Sequence, residues 1–173
     1  MLAMERKPEL RLPTTAVPVT LRLVAGTNVE AELFVADAVR SGHSQLLDDV
    51  AAMLDEAAAF LPVRVERQVQ LYAKMAIAYV SIARQDEPDE DAFAEDVPSE
   101  VFTLYDRQHH VKVELTGDRA LSGTLFDSSP SDRTRVIDYL NGASRFLRLW
   151  TEAAHYLINK NQIVRVSEQE PTS

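Results

Sequence analysis

The chain has no cysteine, one tryptophan and only five glycines in 173 residues. Without cysteine there can be no disulfide and no thiolate metal site. The few glycines form no phosphate-cradling Gly-rich motif. No apolar run reaches the roughly eighteen residues that a membrane-spanning helix needs. The opening stretch, MLAMERKPELRLPTT, has no apolar core of the secretory type. The expectation is therefore a cytoplasmic protein with no membrane association.

Basic residues are missing from one stretch altogether. Between Asp86 and Glu100 stand eight acids and no lysine or arginine, within QDEPDEDAFAEDVPSE. Two prolines and few apolar residues make this segment unable to bury a core, so residues 84–103 read as a solvated acidic linker. It carries most of the formal net charge of −9, and the flanking sequence is close to neutral. The 46% hydrophobic content is enough for a packed core on each side.

What is present on the two sides is one pattern written twice. Residues 19–34 read VTLRLVAGTNVEAELF and residues 111–126 read VKVELTGDRALSGTLF. Val19, Leu21 and Leu23 match Val111, Val113 and Leu115, and Leu33-Phe34 match Leu125-Phe126, at a constant offset of 92 (111 − 19). Apolar residues alternate on both sides of Gly26 and Gly117, the signature of a half-buried hairpin. Leu47, Val50 and Leu54 then fall on one face of a helix spanning residues 44–59, and a second helix is expected over 131–141. Ser131 or Asp132 would cap that second helix, and Asn141-Gly142 would end it in a left-handed turn.

Two further strand-like runs close each copy. Phe60, Leu61, Val63, Lys74, Ile77 and Val80 match Phe146, Leu147, Leu149, Lys160, Ile163 and Val166 at an offset of 86 (146 − 60). The change of offset falls in the loop and helix, where length varies at little energetic cost. A bend at Lys74 and at Asn159-Lys160-Asn161 would split the last run, asparagine tolerating the positive φ of a sharp corner. The fold class expected is α+β, mainly β: an extension over 1–17, a module over 18–83, the linker, a second module over 104–168 and a tail over 169–173, each module ββαββ(β). Units of this size sit near the lower limit for folding alone, so they are expected to pack together or in an oligomer.

VKVELTGDRALSGTLF followed by YLINKNQIVRV resembles the two characteristic stretches of the Sm, LSm and Hfq group. The likeness is a strand, a glycine turn, a strand with a second glycine, and later an apolar pair, a basic residue, then Ile and Val three apart. It covers about forty residues of the second copy and fewer of the first, which has Ala31 in place of Gly123. A helix stands where the family has the loop that supplies RNA contacts. The resemblance implies small, strongly bent five-stranded barrels that assemble into rings, many of which bind RNA. It implicates Lys160 and Asn161, with Lys74 in the first copy, in RNA binding, and it suggests a trimeric or similar closed homo-oligomer.

The chemistry-bearing residues narrow the function. Charge over residues 105–167 is slightly positive and over 19–82 slightly negative, so an anionic partner would prefer the second copy, where Arg165 joins Lys160 as a candidate contact. His109 and His110 are adjacent on a strand and point to opposite faces, which prevents them from converging on a metal with His155. Asp127, Ser128, Ser129 and His155 have no nucleophile elbow around them. Phe146, Leu149 and Trp150 read as a core strand rather than an aromatic binding surface. The expected function is a non-catalytic, oligomeric binding or scaffolding protein without a cofactor and with an unidentified protein partner; the alternative is an RNA-binding regulator that uses the second copy.

Overall fold

The computed structural model describes residues 14–36, 43–84, 107–127 and 135–170. The acidic segment 85–103 and the expected cap at Ser131 or Asp132 lie outside them. Strand β1 (Thr14–Leu23) and strand β2 (Asn28–Ala36) form the first hairpin, followed by helix α1 (His43–Asp55), β3 (Phe60–Val65), β4 (Gln68–Ala73) and β5 (Ile77–Ala83). The second half repeats this order: β6 (Arg107–Leu115), β7 (Arg119–Asp127), a short helix α2 (Val136–Leu140), β8 (Phe146–Trp150), β9 (Ala154–Asn159) and β10 (Ile163–Glu168). The chain is mainly β, and among the described residues every strand pairing is antiparallel.

The ten strands form one sheet in the order β10-β6-β7-β8-β9-β5-β1-β2-β3-β4. Each half contributes its strands in the same order, and β5 against β9 joins them. Registers repeat as well. Val19 faces Ala31 as Val111 faces Gly123, Leu21 faces Val80 as Val113 faces Val166, and Phe60 faces Ala73 as Phe146 faces Asn159. Second and third strands touch through one registered pair in each half, Glu32 with Arg64 and Thr124 with Trp150. Arg64 ion-pairs with Glu32 at the first of these bends.

Alternation drives the burial. Val17, Val19 and Leu21 on β1 and Ala31, Leu33 and Val35 on β2 point into one core, as period-2 spacing requires. Leu47, Val50, Ala51 and Leu54 bring one stripe of α1 onto it, and each fully buried leucine contributes about 2 kcal/mol of transfer free energy. Val111, Val113, Leu125, Leu147 and Leu149 build the second core. Phe146 and Leu149 are therefore core residues, with Trp150 partly buried against the first cluster.

The turns correct three local expectations. Helix α1 ends at Asp55 rather than at residue 59. Asn141 has φ −85°, and α2 closes with the Gly142 amide donating to the Tyr139 carbonyl, so no left-handed stop is used. The corner after β9 is a 3-10 turn, Lys160–Gln162, with Asn159 at φ −63°; Asn159 supports it by accepting a hydrogen bond from the Asn161 amide on its side chain. The corresponding turn after β4 is Lys74–Ala76. Positive φ occurs instead at Gly26, at Gly117-Asp118, and at Glu66-Arg67 between β3 and β4. Two consecutive positive φ values match a tight hairpin to the twist of its strands.

Candidate functional site

The four residues singled out for RNA contact occupy different settings. Lys74 is buried, and its Nζ donates to the carbonyls of Met53 (2.9 Å) and Glu56 (3.0 Å) at the end of α1. Lys160 holds the equivalent place in the second half, with Nζ reaching the carbonyls of Tyr139 (3.4 Å) and Gly142 (3.3 Å). An ammonium there satisfies carbonyls that a helix end leaves open and complements its dipole. Burial lowers the pKa of both lysines, opposed by the negative charge of Glu56 near Lys74 and of Asp55 near Lys160.

Asn161 is exposed on the 3-10 turn. Arg165, on the outer strand β10, makes a two-pronged contact with Glu114 at 2.9 and 2.8 Å. That hydrogen-bonded pairing holds the Glu114 carboxyl below its usual pKa and raises the arginine further. Lys74 and Lys160 thus lie at the two helix ends, and Arg165 lies on a sheet edge. The signal for their shared helix-end role was the recurrence of a lysine at one repeat position among apolar residues.

The histidines do not gather. His109 Nδ1 lies 3.7 Å from Glu168, His110 Nδ1 lies 3.2 Å from Thr124 Oγ1, and His155 is buried edge-on to Trp150 with ring centroids 4.1 Å apart. Among the described residues there is no cluster of three or more His, Asp or Glu that could hold a metal ion. No described helix is long and apolar enough to cross a membrane. An open groove of about 530 Å³ runs past His110, Gly123, Thr124, Trp150 and Gln169, and places an aromatic edge beside polar groups in the second half.

The junction between halves is the most extensively built feature. Along β5 and β9, Val80 faces Leu157 and Ile82 faces His155. Tyr79 and Tyr156 meet edge to face with centroids 5.3 Å apart, and Arg119 donates to the Tyr79 hydroxyl at 3.1 Å. Asn159 sends its Nδ2 across the junction to the carbonyls of Ile77 (3.0 Å) and Lys74 (3.4 Å). Asp55 at the end of α1 accepts from the amides of Arg145 (2.8 Å) and Phe146 (3.2 Å), and Asp48 ion-pairs with Arg148. Asn159→Ala should lower stability by about 2 kcal/mol, because it takes the Nδ2 donor from the buried Ile77 carbonyl and the acceptor from the Asn161 amide together; chemical denaturation measures this, and an unchanged midpoint would remove Asn159 from the junction's energetics.

The outer edges of the sheet, β4 and β10, have no neighbouring strand among the described residues. Phe60, Val69, Leu71 and Met75 are exposed at one end, and Val164 at the other. Comparison with protein-family models, with curated proteins and with solved structures finds no match to this chain.

Proposed function

We propose that this is a non-catalytic, oligomeric binding or scaffolding protein built from two Sm-like modules. The observation that carries the reading is the sheet's two outer strands, which have no neighbour among the described residues and bear large exposed apolar side chains: Val69 and Leu71 on β4, with Phe60 beside them on β3, and Val164 on β10. Unpaired strands of this kind template association with another chain, and proteins ordinarily cover or charge them. Five strands per half, with the second and third meeting through a single pair, support the small, strongly bent module that the sequence resemblance implies.

The second reading, an RNA-binding regulator that uses the second half, is favoured by the exposure of Asn161 and Arg165 on that half. A titration of labelled single-stranded RNA against salt separates the two. The scaffold reading expects an oligomer by light scattering and no RNA shift at moderate ionic strength. RNA binding that weakens as salt rises and is lost in Asn161→Ala would put the regulator in its place. Asn161 is the better probe, since Lys160→Ala also removes a helix-end contact.

A further inference from the structure

Resting on the oligomeric reading, we infer that β10 of one copy pairs antiparallel with β4 of a second copy, head to tail, in the register by which β5 pairs with β9 inside the chain. The internal junction is the template. Position by position, β4 corresponds to β9 and β10 to β5: Phe60 faces Ala73 as Phe146 faces Asn159, and Leu21 faces Val80 as Val113 faces Val166. The two outer strands are therefore the two complementary halves of a junction that the chain already makes once.

Phe60, Leu71 and Val164 are the counterparts of residues that this junction buries. Phe146 (4% exposed) and Leu157 (3%) cross it to join the first half's core, whereas their equivalents Phe60 and Leu71 are 58% and 68% exposed. Ala78 (6%) crosses in the other direction into the second core, and its equivalent, Val164, is 66% exposed. Pairing β10 with β4 of a second copy would place Val166 opposite Leu71 and Ser167 opposite Gln70, as Val80 faces Leu157 and Ser81 faces Tyr156. Phe60 and Leu71 of the second copy would then close over the second core.

The helix ends agree. The lysine contacts put Tyr139 and Gly142 in register with Met53 and Glu56, so Asn141 stands where Asp55 stands. By that equivalence its side-chain oxygen would accept from the amides of Ala59 and Phe60 of the second copy, as Asp55 accepts from Arg145 and Phe146. Other features of the internal junction are not duplicated. Ala73 replaces Asn159, while Arg165 and Gln70 replace the Tyr79–Tyr156 pair. The contact between copies is thus the weaker of the two. Each chain offers one edge of each kind, so the contact is heterologous and repeats until a ring closes.

Three proteins test this: wild type, Leu71→Arg on the β4 edge, and Val164→Arg on the β10 edge. Both substituted residues are exposed, and unchanged circular dichroism confirms that each variant folds. Wild type should run as an oligomer in light scattering. Either variant alone should be monomeric, its association weakened roughly 100-fold by the buried, unpaired arginine. A one-to-one mixture of the two variants should give a dimer that grows no further, because each contributes its intact edge. An oligomer indifferent to both substitutions would overturn the edge assignment while leaving the oligomeric reading in place. A Val164→Arg protein that still dimerises alone would show β4 pairing with itself and overturn it too. Monomeric wild type would overturn both.

Discussion

Gly123→Val should destabilise the protein by about 4 kcal/mol or more, beyond the usual overpacking penalty because the obstacle is partly backbone. A Cβ at this position would lie 2.5 Å from the Trp150 carbonyl oxygen and 2.8 Å from Leu149 Cγ. Neither atom is free to move. The carbonyl belongs to the residue that makes the one registered contact between β7 and β8, and Leu149 is 1% exposed in the second core. The backbone of Gly123 itself is ordinary, without positive φ, so the requirement is for space and not for conformation. In the first half the same place holds Ala31, buried with its methyl accommodated. Ala31→Gly should therefore cost only about 1 kcal/mol, from strand entropy and a lost methyl contact. Thermal unfolding of the two variants measures the contrast: at this chain length a 4 kcal/mol loss lowers Tm by roughly 8–16 °C. Equal shifts for the two would mean that β7 and β8 separate easily, and the close approach would lose its structural importance.

This contrast also shows what local sequence pattern can and cannot carry. Val19, Leu21 and Leu23 alternate because one face of β1 is buried, and the same spacing at Val111, Val113 and Leu115 marks β6. Leu47, Val50 and Leu54 mark the inner face of α1 for the equivalent reason at helical period. Nothing in those spacings identifies a strand's distant partner. That β5 lies against β9 depends on side chains such as Tyr79, Tyr156 and Asn159, which read individually as ordinary strand residues. The break between β3 and β4 shows in the sequence, but the conformation of its turn was hidden for a different reason. Glu66 and Arg67 both take positive φ without a glycine or asparagine to announce it, at a conformational cost of about 1 kcal/mol each that the flanking strand pairing must offset. Asn159 did announce a corner, but the chain makes it with a 3-10 turn and uses the amide to grip the other half.

Lys74 shows the same limitation at the candidate site, and it carries the second large effect. Lys74→Met should cost about 3 kcal/mol, since methionine keeps the apolar stem but leaves the Met53 and Glu56 carbonyls without their charged donor. Lys160→Met should cost about 1 kcal/mol, because its two contacts are longer and one is exposed to water, which can replace the ammonium. The inequality matters more than either number. Lys74 is 7% exposed and both its contacts are part-buried, whereas one of the Lys160 contacts is exposed, and α1 also carries Asp48 and Asp55, which hold β8. Loss at Lys74 should therefore spread to the junction between halves, and Lys74→Met should unfold at lower denaturant with a shallower transition, as the two cores cease to melt together. Urea titrations of the two variants read both quantities. If Lys74→Met were as stable as wild type, while abolishing RNA binding that the wild type possessed, the buried ammonium would be a ligand contact first and a helix-end donor second. If both variants lost about 1 kcal/mol with unchanged slopes, α1 would be anchored by its apolar stripe of Leu47, Val50, Ala51 and Leu54 alone.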